Sequence, residues 1–143
     1  MTDAHGRIGT EPNLAEPGKR MLSSMAPTVV EKDGDLFMVT GSPGGRTIIN
    51  TVLQTIVNVI DFGMNIQEAV DAPRFHHQWL PDRMSYERHG LSPDTLALLE
   101  SKGHRLVAVD RQGAAQAIRY DASADVLDGA PDRLRAGSTA LGY

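Results

Sequence analysis

Two stretches of this chain pair residue types that could do chemistry together. Ser23-Ser24 sets two hydroxyls, each both donor and acceptor, beside their own amides, and such a pair can grip a carboxylate. It also fits an ordinary turn or strand edge. Gly41-Ser42-Pro43-Gly44-Gly45-Arg46 ends one apolar run and opens another. Glycines there let the backbone come close to a ligand, and the unused N–H groups of a helix start favour negative charge. That geometry could stabilise an oxyanion developing during acyl transfer. A strand-to-helix turn that needs only positive φ at Gly44 or Gly45 would look the same.

Other chemistries find less support. The glycine loop has neither the Gly-x-Gly-x-x-Gly of a dinucleotide site nor the Lys-Ser/Thr of a P-loop. Ser42 is second in Gly41-Ser42-Pro43-Gly44-Gly45, not central as in a nucleophile elbow. His76-His77 invites a metal, but neighbours on an extended chain point to opposite sides and no spaced partner set accompanies them. No metal is therefore expected. Asp71, Asp82 and Glu87 are too loosely spaced to nominate as an acid/base pair, and spacing selects no Ser/His/Asp triad.

The elements that must position these residues are legible from periodicity. Thr28–Glu31 and Leu36–Thr40 are β-rich runs joined across Asp33-Gly34, a hairpin signal. Both runs are apolar enough to predict an inner position in a larger sheet. From Arg46 to Phe62, Ile48, Ile49, Val52, Leu53, Ile56, Val59 and Ile60 recur at helical spacing. Asn65 caps a second helix, Ile66–Asp71, which stops before Pro73. Residues Arg74 to Arg83 read as irregular, and Met84–Glu87 as a short strand. Ser92-Pro93 starts a third helix that Gly103 ends. Strands follow at Arg105–Val109, Ala115–Tyr120 and, after a turn at Asp121–Asp125, Val126–Leu127. Residues 1–17 read as an extended lead-in, and Ala136–Tyr143 as a small, flexible tail. The sum is an α/β (α+β) chain, helices covering a mainly antiparallel sheet.

Composition narrows the functional classes. The 143 residues fit one domain, with 41% hydrophobic and 22% charged residues. Net charge is −4 and the 14 basic residues are scattered, which argues against nucleic acid or anionic membrane as partner. The absence of cysteine excludes disulfides and thiol chemistry. No apolar run is long enough for a membrane-spanning helix, and the N-terminus does not resemble a signal peptide.

Four segments carry a resemblance. Pro17–Thr28, Val39–Ile49, Glu68–Trp79 and the ending Ala140–Tyr143 together resemble the γ-glutamyltranspeptidase family, in order and over nearly the whole chain. The resemblance implies an N-terminal-nucleophile hydrolase with an αββα sandwich, of which the chain would be the later part of the small subunit. It implies transfer or hydrolysis of γ-glutamyl groups from glutathione-like donors, with no cofactor. Ser23 and Ser24 match the pair that holds the glutamyl α-carboxylate; Gly44 and Gly45 match the oxyanion-hole glycines. The nucleophilic threonine is expected upstream of Met1. Thr2 is not aligned with it, and Asp3 stands too close to Ser23 to take the family's aspartate role. The chain alone is therefore expected to be inactive and to associate with copies of itself through faces that the missing upstream portion would cover. Two alternatives are a related acylase acting on glutaryl-β-lactam or poly-γ-glutamate, and a non-catalytic binding or assembly module.

Overall fold

The computed structural model describes residues 14–142. Most of the lead-in, with Thr2 and Asp3, and the final Tyr143 lie outside the described residues. Leu14–Arg20 is exposed, with a turn closed by the Lys19 N–H on the Glu16 carbonyl at 3.2 Å.

Strands β1 (Thr28–Lys32) and β2 (Asp35–Gly41) form the expected antiparallel hairpin, with Asp33 at φ 56° and Gly34 at φ 93° in its turn. A 3-10 turn, Gly45–Thr47, then leads into α1 (Ile48–Ile60), so the regular helix begins two residues later than Arg46. Helix α2 (Ile66–Asp71) starts with a capping box: the Asn65 side chain accepts from the Glu68 N–H while Glu68 accepts from the Asn65 N–H. Strands β6 (Gln116–Asp121) and β7 (Val126–Pro131) complete a four-stranded antiparallel sheet ordered β1-β2-β6-β7. β7 runs to Pro131, well past Leu127, because each residue from Val126 onward has a partner on β6. Of the hairpin, only β2 is internal. Among the described strands β1 stands at the edge of the sheet, with Val29 largely exposed.

A second sheet corrects the expectation that Arg74 to Arg83 is irregular throughout. Phe75–His76 is a two-residue strand, β3, paired antiparallel with β4 (Met84–Glu87). Sequence period cannot reveal so short a strand. Gln54 of α1 holds it, its amide donating to the Phe75 carbonyl at 2.8 Å and accepting from the Phe75 N–H at 3.1 Å. From β4 the chain passes through α3 (Pro93–Ser101), capped by Ser92, and returns as β5 (Leu106–Val109), parallel to β4. Such a parallel pair needs the crossover that α3 supplies.

The core lies between α1, α2 and one face of the four-stranded sheet. Met38, Val59, Ile66, Ala69, Val70, Ala115, Ala117 and Ala130 form it. Thr40, Ala117 and Ala130 stand in register across three strands, all buried. These short side chains let α2 sit close over β6 and β7, the strands it contacts. Beyond the core, the Asp121 carboxylate accepts from Ser123 Oγ and from the Ser123 and Ala124 amides, and these bonds hold its pKa below the usual carboxylate value.

Helix α1 is apolar over a wider arc than the described residues cover. Ile48, Thr51, Val52, Thr55 and Val59 are buried, whereas Ile49, Leu53 and Ile60 are more than half exposed. An uncovered stripe of this kind favours association. Light scattering on the isolated chain is expected to give a mass above that of the monomer, lowered by Leu53→Lys. A clean monomer for the unsubstituted chain would contradict this.

Candidate functional site

The hairpin brings both candidate motifs to one end of the sheet. Thr28 is registered opposite Thr40, so the segment entering β1 and the segment leaving β2 lie at the same end. Ser24 is four residues before Thr28 and Gly44 four residues after Thr40. Ser23 is exposed and its hydroxyl accepts from the Met25 N–H at 3.2 Å; Ser24 is half-buried. The β6 residue Gln116 is registered with Gly41 and the β7 residue Pro131 with Gln116, so the β5–β6 loop and the chain after β7 reach this end too.

The glycine loop is built to leave amides unused. Gly44 adopts φ 143° and its carbonyl turns back to accept from the Thr47 N–H at 3.2 Å and Thr47 Oγ1 at 3.0 Å. Gly45 adopts φ 58°. The N–H groups of Gly44 and Gly45 donate to no group among the described residues. The first turn of α1 has no acidic residue to oppose the positive end of its dipole. Two exposed N–H groups at a helix start can thus meet an oxyanion without losing an internal bond.

Ser42 has a structural task that its sequence position does not reveal. Its hydroxyl donates to the Pro43 carbonyl at 2.7 Å and accepts from the Ala114 N–H at 2.9 Å, tying the glycine loop to the β5–β6 loop. The approach is close: a Cβ on Gly113 would stand 2.7 Å from both Ser42 Oγ and Thr51 Oγ1. A Cβ on Gly44 would stand 2.6 Å from Thr47 Oγ1 and 3.1 Å from Gly113 Cα.

Behind this end of the sheet lies a buried ionic cluster. Arg74 is 4% exposed, Glu87 4% and Asp132 1%. Arg74 Nη1 donates to Asp132 Oδ2 at 2.7 Å, and Arg74 Nε and its backbone N–H donate to Glu87 Oε2 at 3.2 and 2.9 Å. Glu87 Oε1 accepts from the Gln112 N–H at 2.7 Å and stands 3.1 Å from Arg74 Nη2. Gln112 Nε2 donates to the Arg74 carbonyl at 2.9 Å. The cluster fastens β3, β4, the end of β7 and the β5–β6 loop together. Sequence gave no sign of it, because its members are 13 and 58 residues apart.

The remaining candidates disperse. His76 Nε2 meets Gln78 Oε1 at 2.9 Å, while His77 Nε2 meets Asp82 Oδ1 at 3.2 Å and His77 Nδ1 accepts from the Trp79 N–H. Among the described residues, no three His, Cys, Asp or Glu side chains are grouped to hold a metal. Asp71 pairs with Arg133 at 3.3 Å, Asp82 with His77, and Glu87 with Arg74, so these three carboxylates serve separate places.

This layout has the fold of an N-terminal-nucleophile hydrolase, and solved structures share it. The γ-glutamyltranspeptidase T380A mutant of Helicobacter pylori superposes with a TM-score of 0.84 at 45% identity, over 92% of this chain and 72% of that one. The γ-glutamyltranspeptidase of Pseudomonas nitroreducens complexed with L-DON gives 0.85 at 36% identity, over 100% of this chain and 75% of that one. A family profile described as gamma-glutamyltranspeptidase matches residues 2–142. The chain belongs to the γ-glutamyltranspeptidase family. It is 49% identical to the glutathione hydrolase proenzyme of Escherichia coli K12, over all of this chain and 24% of that protein. It is 46% identical to that of Pseudomonas sp. strain A14, over all of this chain and 26% of that one. The chain thus spans about a quarter of the length of these curated relatives.

Three substitutions probe this geometry. Arg74→Gln leaves two buried carboxylates without their cation and is expected to cost about 3–5 kcal/mol in urea unfolding. A loss below about 1 kcal/mol would mean that the cluster is not enclosed as described. Gly45→Ala, whose methyl meets nothing within 4 Å, is expected to cost about 1–2 kcal/mol for its left-handed φ alone. Gly44→Ala also collides with Thr47 and is expected to cost more, about 2–3 kcal/mol, in the same assay.

Proposed function

We propose that the chain is the C-terminal, single-domain portion of an enzyme that hydrolyses or transfers γ-glutamyl groups of glutathione-like donors. It forms the oxyanion and carboxylate side of the site. Gly44 and Gly45 offer their N–H groups to the oxygen of the attacked γ-carbonyl, where charge develops. Ser23 and Ser24 take the α-carboxylate of the glutamyl group through hydroxyls and amides. The nucleophile comes from the remainder of the enzyme, outside these 143 residues. It attacks the γ-carbonyl to give an acyl-enzyme and release the amine. Water or a second amine then takes the glutamyl group.

One observation carries this reading: two unused amides at the start of α1 share a sheet end with the serine pair. A γ-glutamyl compound has a carboxylate at one end and its reacting carbonyl at the other, and needs two such anion sites a few bonds apart. The membership of the chain in its family supports the same assignment, as do relatives named glutathione hydrolase proenzyme.

Two measurements on the purified chain test it. Release of chromophore from a γ-glutamyl anilide is expected to stay at background, and turnover would place a nucleophile within residues 1–143. Titration with glutamate is expected to show weak binding, of about millimolar Kd, that Ser23→Ala with Ser24→Ala abolishes. Undiminished binding by the double variant would remove the serines from the site.

A further inference from the structure

The segment that carries the serine pair also carries the two most exposed methionines among the described residues. Met21 is 85% exposed and Met25 77%, whereas Met38 is fully enclosed and Met84 is 8% exposed. The chain has six methionines and no cysteine. Thioethers are therefore its only sulfur groups, and a thioether is oxidised in proportion to its access to the oxidant. Met38 lies in the core under α1 and α2, so the fold shields it while leaving Met21 and Met25 open.

Position makes this exposed pair consequential. Met21 stands two residues before Ser23, and Met25 directly follows Ser24. The Met25 N–H donates to the Ser23 hydroxyl at 3.2 Å, so one bond sets the backbone of Met25 against the first serine. Among the described residues the Ser23 hydroxyl gives its own proton to no acceptor. That proton is available to a ligand carboxylate. Leu22, 46% exposed, completes an apolar surround for the two hydroxyls.

Oxidation reverses the character of this surround. A thioether sulfur is only a weak hydrogen-bond acceptor. A sulfoxide is polar, and its oxygen accepts strongly. Placed one or two residues from hydroxyls that must donate to a carboxylate, such an oxygen takes those protons for itself. It also sets partial negative charge beside the place where the carboxylate would lie.

We infer that Met21 and Met25 form an oxidation site that switches off carboxylate binding at Ser23 and Ser24. The inference rests on the γ-glutamyl reading of the serine pair and adds a modification to that site. The oxidant is a peroxide. A sulfur lone pair attacks one peroxide oxygen, the O–O bond breaks and an S–O bond forms. The proton on the transferred oxygen passes to the departing hydroxide, which leaves as water. Sulfur loses two electrons and the peroxide gains them. A dithiol reductant reverses the change, taking the oxygen off as water while its two sulfurs join in a disulfide.

The test treats the purified chain with dilute hydrogen peroxide and measures the sulfoxide at each methionine by peptide mass spectrometry. Met21 and Met25 are expected to oxidise about tenfold faster than Met38 and Met84. Glutamate binding, followed by NMR at the Ser23 and Ser24 amides, is expected to weaken about tenfold on oxidation. Methionine sulfoxide reductase with dithiothreitol is expected to restore it. A chain carrying Met21→Leu with Met25→Leu, swaps that conserve volume at exposed positions, is expected to show the same Kd before and after peroxide. Equal oxidation of all four methionines, an equal loss in the double variant, or a loss that reduction does not reverse would each overturn the proposal. Glutamate binding that survives oxidation of both residues would overturn this inference alone. Absence of binding to the untreated chain would overturn the γ-glutamyl reading of the serines, and this inference with it.

Discussion

A guanidinium shut away from water needs its counter-charges enclosed with it, and the Arg74 cluster meets that demand from three separate parts of the chain. Desolvating one cation and two carboxylates is unfavourable, and it is offset only when short, well-directed bonds satisfy nearly every polar atom. Arg74 and Glu87 approach that condition through five hydrogen bonds, which also involve the backbone of residues 74 and 112 and the side chains of Gln112 and Asp132. The ion-pair contact of Arg74 Nη2 with Glu87 adds to them, Nη2 itself having no hydrogen bond among the described residues. The consequence is geometric. β3, β4, the end of β7 and the β5–β6 loop are held in one arrangement, since any displacement would strand a buried charge.

That constraint propagates to the glycine loop through Ser42. The β5–β6 loop is anchored at Gln112 to Glu87, and two residues later its Ala114 N–H is held by the Ser42 hydroxyl. Gly113 sits between them with room for no side chain. The amides of Gly44 and Gly45 are thus aimed by a chain of contacts that begins at a buried ion cluster. In the oxyanion role proposed for them, donors fixed in this way would need no rearrangement as charge develops.

Much of the fold was legible because it rests on local physics. The Asp33-Gly34 turn, the Asn65 capping box, the Ser92-Pro93 helix start and the Gly103 stop each depend on a few adjacent residues, and each stands where the sequence places it. What failed was what depends on distant partners. The two-residue β3 exists because Gln54 and β4 hold it. Among the described residues no strand pairs with β1 on its outer side, which its own apolar pattern could not show. Apolar periodicity marked seven positions on α1, but it could not say that Thr51 and Thr55 would be buried while Ile49 and Leu53 faced outward.

By itself, the sequence determined the motifs and their order: a serine pair, a hairpin, and a glycine loop opening a helix. It also determined the family, because runs such as Gly18–Thr28 and Gly41–Ile49 are specific as written. Tertiary structure decided the rest. The hairpin register set the serines and glycines at one sheet end. Packing assigned Ser42 to bracing the loop and enclosed Met38 while leaving Met21 and Met25 exposed, and long-range charge pairing buried Arg74, Glu87 and Asp132. The physical reason is range. Turns and caps are satisfied within a few residues, whereas the burial of a charge or a thioether is decided only by what the folded chain brings from elsewhere.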